Sequence, residues 1–281
     1  MNVKARAKIN LFLDVLGTRP DGYHEILTVM QSLELHDVLE VETLPGSEIL
    51  VDTSDPEVPR GPGNIVFKAA ELLLKEYGLS RGAKIFINKN IPSAAGLAGG
   101  SSDAAAALMC LNTLWELKAG EGSLLRLGER IGADVPFCLA GKTALARGKG
   151  GDLSPLPSFS GVGVVLVKPP FGVSTAEVYS LYDTLPPIAG PGPEALLEAL
   201  ERRDAPSVAR LMYNALERVT ASLHPEINNI KYSLVDAGAM GALMSGSGPT
   251  VFGLCAGPAE AAGLASRLRL PGCSIIATAT V

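Results

Sequence analysis

A chain of 281 residues, of which 47% are hydrophobic and 19% charged, can bury the core of two domains or of one large one. Its formal net charge of −5 argues against a nucleic-acid-binding protein, and any anionic ligand must be held by local positive groups. No apolar run reaches the roughly 18 residues that a membrane-spanning helix needs.

The chain has four cysteines, which have apolar neighbours and lack C-x-x-C spacing: Cys110, Cys138, Cys255 and Cys273. This pattern argues against a zinc site and favours buried, reduced thiols in a cytoplasmic protein. The N-terminal stretch contains a short apolar run, but Asn10 and Asp14 interrupt it. We therefore expect no signal peptide.

The first elements are predicted from periodicity. Apolar residues occupy the odd positions of residues 3–15, which predicts a strand with one buried face. A turn signal, "TRPDGYH", follows it, and residues 25–42 favour one or two further strands. The stretch "PGNIVFKAAELLLKEYGL" predicts a helix of about four turns that ends at Gly78. The next stretch, "AKIFINKNIP", predicts a short strand.

The stretch "PSAAGLAGGSSD", residues 92–103, leads from that strand into a strong helix former. We expect Ser102 or Asp103 to cap the helix. A helix N-terminus has unpaired N–H groups and a partial positive charge, and small residues let a phosphate approach it. The stretch is neither a Walker A loop nor G-x-G-x-x-G. The residues alone leave two possibilities, a phosphate-binding loop and a tight packing turn.

The second half of the chain mixes helices and strands. The stretch "SLLRLGERIGADVPFCLAG" predicts a helix, a break at Gly132 and a short helix that begins at Asp134. Residues 152–160 resemble a linker, "GVGVVLVKP" predicts a buried strand, and residues 192–219 predict two amphipathic helices. Another helix, a strand–turn–strand at "MGALMSGSGPTVFGLCAG", a helix and a final strand follow. The lack of regular βαβ alternation favours an α+β fold.

Several stretches resemble the GHMP small-molecule kinases, which include galactokinase, homoserine kinase and mevalonate kinase. "PSAAGLAGGSSDAAAAL" resembles the second motif of this family, and "MSGSGPTVFGL" resembles its glycine-rich third motif. "ARAKINLFLDVLGTRPDGYHEI" and "IGADVPFCLAGKTALARG" are similar to one member, which acts in the non-mevalonate isoprenoid pathway. The matches occur in the family's order and span most of the chain.

This resemblance implies a two-domain fold with the active site in the cleft between the domains. An N-terminal domain like domain two of ribosomal protein S5 would occupy residues 1–155, with a return strand at 273–281. A ferredoxin-like domain would occupy residues 156–272. The implied reaction transfers the γ-phosphate of ATP to the 2-hydroxyl of a cytidyl-diphosphate methylerythritol. The implied partners are these two small molecules, with no nucleic acid and no membrane.

The resemblance also implies two catalytic residues. Asp134 would be the base that accepts the proton of the acceptor hydroxyl, although its local sequence equally suits a helix N-cap. Lys8 would lower the pKa of that base and offset charge on the transferred phosphoryl group, whereas an isolated strand lysine is usually solvated. Asn10, two residues further along the strand, would bind the acceptor substrate or be an ordinary strand residue.

A second group of residues would bind the cytosine end of the acceptor. Tyr23 offers a ring face and His24 offers polar edges, although such a pair is more often an ordinary surface or core feature. The resemblance implies that Tyr179 completes an aromatic sandwich around the base, and that Thr175 contacts the same end of the substrate. Taken alone, Tyr179 is more typical of an ordinary aromatic residue on a helix.

ATP would bind the glycine-rich stretch. The residues assigned to it are Pro92, Ser93, Ala94, Ala95, Gly96, Leu97, Ala98, Gly99, Gly100, Ser101 and Ser102. Asn64 and Lys89 match family positions near the adenine. We expect Mg²⁺ to be held largely by ATP oxygens and water, since no additional carboxylate ligand is identifiable.

Two other functions stay open. Another GHMP kinase, such as homoserine kinase, would not need Tyr23, His24 and Tyr179 together. A non-catalytic ligand-sensing member of the fold would not need both Lys8 and Asp134. The "RPDGYH" stretch argues against the first alternative, and the two candidate catalytic residues argue against the second.

Overall fold

A computed structural model describes residues 1–186 and 188–281. Its strands are β1 (Asn2–Thr18), β2 (His24–Leu44), β3 (Ile49–Thr53), β4 (Gly82–Asn88), β5 (Thr143–Arg147), β6 (Asp152–Pro155), β7 (Gly163–Lys168), β8 (Tyr213–Asn214), β9 (Gly241–Met244), β10 (Val251–Cys255) and β11 (Ser274–Ala279). Its helices are α1 (Ile65–Tyr77), α2 (Gly99–Leu114), α3 (Glu121–Ile131), α4 (Val135–Ala140), α5 (Thr175–Tyr182), α6 (Glu194–Glu201), α7 (Ala205–Leu211), α8 (Glu217–Leu223), α9 (Glu226–Asp236) and α10 (Pro258–Arg267).

The chain folds as two compact units that interleave along the sequence. Unit 1 contains Met1–Ala7, Leu35–Ser93 and Ala98–Gly141. Unit 2 contains Lys8–Glu34, Ala94–Leu97 and Lys142–Val281. The long strands β1 and β2 each contribute one part to each unit. The predicted domains were drawn from motifs and not from these contacts, so their boundaries near residue 155 stay a prediction.

Unit 1 consists of a short sheet with helices α1 to α4. The second half of β2 pairs antiparallel with β4, and β3 pairs parallel with β4. Helix α1 begins after Asn64, whose side chain caps it, and ends at Gly78 in the left-handed conformation, as predicted. The apolar faces of α1 and α2 lie in one buried cluster with Ile85 and Trp115. Burial of these faces from water stabilises the unit.

The start of α2 differs from the prediction. The helix begins at Gly99 and its N-cap is Ala98, which has a left-handed φ of 57°. Ser102 and Asp103 therefore lie inside the first turns and do not cap the helix. The reason is that the Ser102 hydroxyl donates to the carbonyl of Arg6 at 2.5 Å, which holds the serine against β1.

Unit 2 contains an antiparallel sheet in the order β11–β7–β10–β9, with α9 and α10 packed against it. The predicted strand–turn–strand is confirmed as β9 and β10, which pair from Val251 opposite Met244. The final strand pairs with β7, and beyond it Thr280 forms a bridge with Leu33. The segment that was expected to hold two helices contains α6, α7, the short strand β8 and the start of α8.

Strand β1 is more buried than its alternation predicts. Every residue from Ala7 to Asp14 is buried, so both faces of this part are covered and not one. The polar residues on the second face are tolerated there because they have hydrogen-bond partners inside the protein.

Two features of the described chain complete the fold. All four cysteines are free; Cys110 and Cys255 are buried, whereas Cys138 and Cys273 are half-buried. No helix in the described part of the chain has the length and apolar character needed to cross a membrane.

Candidate active site

Lys8 lies in a buried polar cluster in unit 2. Its side chain is 4% exposed, and its Nζ donates to Asn10 Oδ1 at 2.8 Å and to the Gly96 carbonyl at 3.2 Å. Its backbone N–H also donates to the carbonyl of Leu97 at 3.1 Å. The structure thus brings Lys8 and Asn10, two residues apart on β1, against the middle of the glycine-rich stretch, which is distant in sequence.

The amide of Asn10 is engaged at both ends. Its Oδ1 accepts from Lys8, and its Nδ2 donates to Thr28 Oγ1 at 2.8 Å. Thr28 in turn donates to the carbonyl of Phe12 at 2.6 Å, so the orientation of the amide is fixed. Asn10 therefore positions the Lys8 ammonium. Thr28 gave no signal in the sequence, because it meets Asn10 only through the folding of β2.

The glycine-rich third motif contacts the same cluster. Ser245 Oγ donates to the Gly96 carbonyl at 3.0 Å, which is the oxygen that Lys8 also contacts. A Cβ atom on Gly96 would lie 2.3 Å from the Ser245 carbonyl, and one on Gly246 would lie 3.6 Å from Lys8 Nζ. Both glycines have positive φ, 73° and 59° respectively. The close approach of the two backbones therefore requires glycine at position 96, and the positive φ favours glycine at both positions.

Two residues that were not recognised in the sequence hold this motif. Asn214 Nδ2 donates to the carbonyls of Met244 and Gly246, each at 2.8 Å. Glu217 Oε2 accepts from the N–H of Met244 at 2.9 Å. Both lie at the junction of β8 and α8, so only the tertiary structure brings them to the motif.

The predicted cytosine-binding residues are partly brought together. The rings of His24 and Tyr179 stack with centroids 4.5 Å apart and an angle of 26°. His24 Nε2 lies 2.9 Å from Asp183 Oδ1. Tyr23 is 58% exposed, and Lys149 Nζ lies 4.0 Å from the centre of its ring. In this structure His24, and not Tyr23, lies against the ring of Tyr179.

Thr175 connects this region to the third motif. It is the first residue of α5, whose N-cap Ser174 accepts from the N–H of Glu177. The Thr175 hydroxyl lies 2.8 Å from the hydroxyl of Ser247. Helix α5 therefore presents Thr175 toward the glycine turn and carries Tyr179 one turn later.

The glycine-rich stretch has unusual backbone geometry. Ala94 and Ala98 have positive φ of 50° and 57°, which costs energy for residues other than glycine. Ala95 and Leu97 are buried anchors, whereas Pro92 and Ser93 are half-buried. Such strain is common at ligand-binding loops.

In unit 1, the beginning of α2 presents free backbone donors. The first intrahelical amide is that of Ser102, which donates to the Ala98 carbonyl at 2.8 Å, so the amides of Gly99, Gly100 and Ser101 precede the helical ladder. The Ser102 hydroxyl itself is occupied by the Arg6 carbonyl. Backbone N–H groups are therefore better suited than this hydroxyl to contact a phosphate.

Asp134 is the N-cap residue of α4 by position only. Its side chain makes no cap hydrogen bond, while its carbonyl accepts from the N–H of Cys138 at 3.0 Å. Its side chain is half-buried. The alternative in which its carboxylate caps the helix is therefore wrong for this structure.

Asn64 and Lys89 both have protein partners. Asn64 Oδ1 accepts from Val66 N at 2.8 Å, and its Nδ2 donates to the Pro59 carbonyl at 2.7 Å. Lys89 Nζ lies 2.5 Å from Asp37 Oδ2 and 2.7 Å from Asp103 Oδ2.

The charges of this ion cluster shift one another. Burial raises the pKa of Asp103 to about 7, although Lys89 opposes the shift. For Lys89, burial lowers the pKa, but the two carboxylates outweigh it and the pKa is raised. Within residues 1–186 and 188–281, no three His, Cys, Asp or Glu side chains form a group that could hold a metal ion.

Comparisons with known proteins agree with this geometry. The family model described as the GHMP kinases N terminal domain matches residues 64–142, and the GHMP kinases C terminal model matches residues 196–272. A protein of Pelotomaculum thermopropionicum, named 4-diphosphocytidyl-2-C-methyl-D-erythritol kinase, is 50% identical over 98% of this chain and 96% of its own. A protein of the same name from Acetivibrio thermocellus is 48% identical over 90% of this chain and 89% of its own.

Solved structures show the same relationship. The crystal structure of a 4-(cytidine 5'-diphospho)-2C-methyl-D-erythritol kinase matches with a TM-score of 0.83 at 37% identity, covering 100% of this chain and 99% of that one. A homoserine kinase from Cytophaga hutchinsonii matches with a TM-score of 0.75 at 19% identity, covering 100% of this chain and 94% of that one. The second likeness shows the fold alone. The predicted two-domain α+β fold is confirmed by these matches.

Proposed function

The chain belongs to the GHMP kinase family, and we propose that it transfers the γ-phosphate of ATP to the 2-hydroxyl of 4-diphosphocytidyl-2-C-methyl-D-erythritol. The reaction is a step of the methylerythritol phosphate pathway to isoprenoid precursors. The observation that carries this function is the 50% identity to a kinase of that name over nearly the whole of both chains. The contacts of the candidate residues support a division of roles.

Lys8 supplies positive charge to the transferred phosphoryl group. Phosphoryl transfer depends mainly on positioning and on neutralising charge that develops on the phosphoryl oxygens. The ammonium of Lys8 suits this role because Asn10 and the Gly96 carbonyl fix its position. A buried ammonium fixed in this way costs no reorganisation when the reaction begins.

Asp134 accepts the proton of the acceptor hydroxyl. An alcohol is a weak nucleophile until a base takes its proton, and a positioned carboxylate contributes roughly 10²- to 10⁴-fold in rate. The carboxylate does not cap α4, which leaves the capping role without support. The role also rests on the match of "IGADVPFCLAG" to the family.

Tyr23, His24 and Tyr179 recognise the cytosine, Thr175 contacts the same end of the acceptor, and Asn10 hydrogen-bonds the acceptor. Flat rings bind a pyrimidine by stacking, and the imidazole offers hydrogen-bonding edges. A base that stacks on the face of Tyr179 now covered by His24 would displace the His24 ring. Binding of the acceptor in that way is therefore expected to move His24.

ATP binds with its phosphates on the glycine-rich stretch and on the first amides of α2. The helix N-terminus attracts anions, and the small side chains admit the phosphates. Mg²⁺ neutralises phosphate charge when it is bound. We expect ATP oxygens and water to be its main ligands.

The substrate assignment is tested by acceptor competition. ADP release would be measured with 4-diphosphocytidyl-2-C-methyl-D-erythritol, homoserine and mevalonate as acceptors. We expect kcat/KM for the cytidyl acceptor to exceed the others by at least about 10²-fold, because the recognition groups for cytosine have no use with the smaller alcohols. A comparable kcat/KM with homoserine would overturn the assignment and leave only the family.

A further inference from the structure

Unit 1 contains a buried ion cluster that no catalytic step requires. Its members are Asp37 on β2, Lys89 just after β4, and Asp103 in α2, and their side chains are 0%, 7% and 3% exposed. Lys89 Nζ contacts one oxygen of each carboxylate, at 2.5 Å and 2.7 Å. Burial of three ionisable groups is costly, so their retention calls for a role.

The positions of the three residues in the chain suggest that role. Lys89 lies three residues before Pro92, where the stretch assigned to ATP begins, and Asp103 directly follows its last residue, Ser102. The ion pair between them therefore joins the two ends of the stretch. Asp37 anchors the first end to the sheet a second time, since its Oδ1 accepts from the backbone N–H groups of Asn90 and Ile91 at 2.5 Å and 2.8 Å.

The cluster also lies directly against the start of α2. A Cβ atom on Gly99 would lie 3.4 Å from Lys89 Nζ and 3.1 Å from Ile91 Cγ2. The first residue of the helix thus packs on the lysine and on the residue that Asp37 holds. Movement of Lys89 would displace the backbone amides at the N-terminus of α2.

We propose that Asp37, Lys89 and Asp103 are positioning residues for ATP, which hold both ends of the glycine-rich stretch and aim the first amides of α2 at the triphosphate. This proposal rests on the proposed function. It differs from the role that the family resemblance implies for Lys89, a place near the adenine. Both carboxylates hold the Lys89 ammonium, so Lys89 acts on the phosphate end of ATP through the backbone of the glycine-rich stretch.

The test compares two substitutions at Asp103 that remove the same charge. Asp103→Asn keeps an oxygen that can accept from Lys89, whereas Asp103→Leu has similar size and no acceptor. We expect Asp103→Leu and Lys89→Met to raise the Kd for ATP by about 10-fold or more, since small misplacement of binding groups is costly. We expect Asp103→Asn to stay within about 3-fold of the wild type, because one hydrogen bond still joins the two ends.

Two ligands separate positioning from direct contact with the base. Calorimetry would give Kd for ATP and for inorganic tripolyphosphate, which has no base. Positioning of the phosphate site predicts that Lys89→Met weakens both by the same factor. A loss of ATP binding with unchanged tripolyphosphate binding would show that Lys89 contacts the nucleoside, and would overturn the proposal.

An exposed ion pair in the same unit provides the control for loss of a charged contact. Arg130→Met removes the exposed ion pair with Glu76 in the same unit and should leave both Kd values unchanged. A folded Asp103→Leu variant with normal ATP affinity would overturn the proposal. If neither Asp103→Leu nor Lys89→Met folded, the cluster would have a structural role only, and the proposal would also be overturned. Calorimetry measures nucleotide binding without turnover. If the wild type bound ATP but failed to phosphorylate the cytidyl acceptor, the proposed function would be disproved, and the ATP affinities of the variants would still test this proposal.

Discussion

At the scale of single residues, the position of the Lys8 ammonium is set by contacts from its own strand and from segments distant in sequence. The carbonyl of Gly96 receives both the Lys8 ammonium and the Ser245 hydroxyl, and Asn10 holds the ammonium from the other side. A charged group held by several short contacts is pre-organised for an anionic substrate. Changes to these neighbours should therefore affect turnover even where they do not contact the substrate.

Asp134→Asn tests the base directly. The substitution preserves shape and removes the negative charge and the ability to accept a proton. We expect kcat to fall by about 10²-fold or more in a variant that stays folded, because asparagine has the shape of aspartate and cannot take up the proton. Single-turnover phosphoryl transfer and melting curves on the same samples would check this, with the exposed Asp236→Asn as the control. A normal kcat in a stable variant would remove Asp134 from the mechanism.

Gly96→Ala tests the contact between the two glycine-rich segments. The added methyl would lie 2.3 Å from the Ser245 carbonyl, and φ at this position is +73°. Both effects force the backbone to move, so we expect kcat/KM for ATP to fall by about 10-fold or more. Gly257→Ala is the matched control, since its Cβ has no neighbour within 4 Å. Equal kinetics for the two variants would show that the segments tolerate separation.

At the scale of elements, the sequence predicts features that depend on local patterns and misses features that depend on tertiary packing. Helix α1 is predicted because its apolar spacing and its terminal glycine are local signals. The burial of both faces of β1 is missed, since it depends on what packs against the strand. Asn214 and Thr28 are missed for the same reason, because their partners are distant in sequence. Local sequence patterns thus identify the motifs, whereas the residues that hydrogen-bond to those motifs are identified from the tertiary structure.

Helix α5 is the element that links the cytosine residues to the third motif. It carries Thr175 against Ser247 and Tyr179 against His24. Loss of the tyrosine ring should act on the acceptor and not on ATP, because the proposed stacking involves only the cytosine.

Tyr179→Ala should raise KM for the cytidyl acceptor about 5- to 150-fold, which is the range for loss of one base–aromatic stack. KM for ATP should change by less than about 2-fold. Tyr232→Ala, at a side chain that is 74% exposed on α9, is the control. Steady-state kinetics with each substrate varied in turn would measure both values. An equal rise in both KM values would point to a folding defect and contradict the assignment.

At the scale of the whole molecule, two units interleave along one chain. Because β1 and β2 each contribute residues to both units, a substitution in either strand falls in a strand that both units share. The resemblance of short motifs predicted the family, and two of those motifs are the glycine-rich segments that meet at the Gly96 carbonyl. The domain boundary near residue 155 stays a prediction, since the two contact units exchange segments and have no single boundary in sequence.

Global stability should depend on pH through Asp103. Burial raises the pKa of this carboxyl from its ordinary 3.8 to about 7, so the folded state binds its proton more tightly than the unfolded state does. The wild type should therefore lose stability relative to Asp103→Asn as the pH rises from about 4 to about 7. Melting curves at about pH 5 and about pH 8 would show the difference growing with pH. A difference that is independent of pH would contradict the buried-carboxyl account.

The central claim is the transfer of phosphate to the cytidyl acceptor, and ³¹P NMR of the reaction mixture tests it most directly. Wild-type enzyme, ATP, Mg²⁺ and 4-diphosphocytidyl-2-C-methyl-D-erythritol should give one new phosphomonoester signal in equal amount to the ADP formed. The diphosphate signals of the acceptor should persist, because its cytidyl group is retained. Formation of ADP with inorganic phosphate alone, or no ADP in a folded sample that binds ATP, would contradict the account.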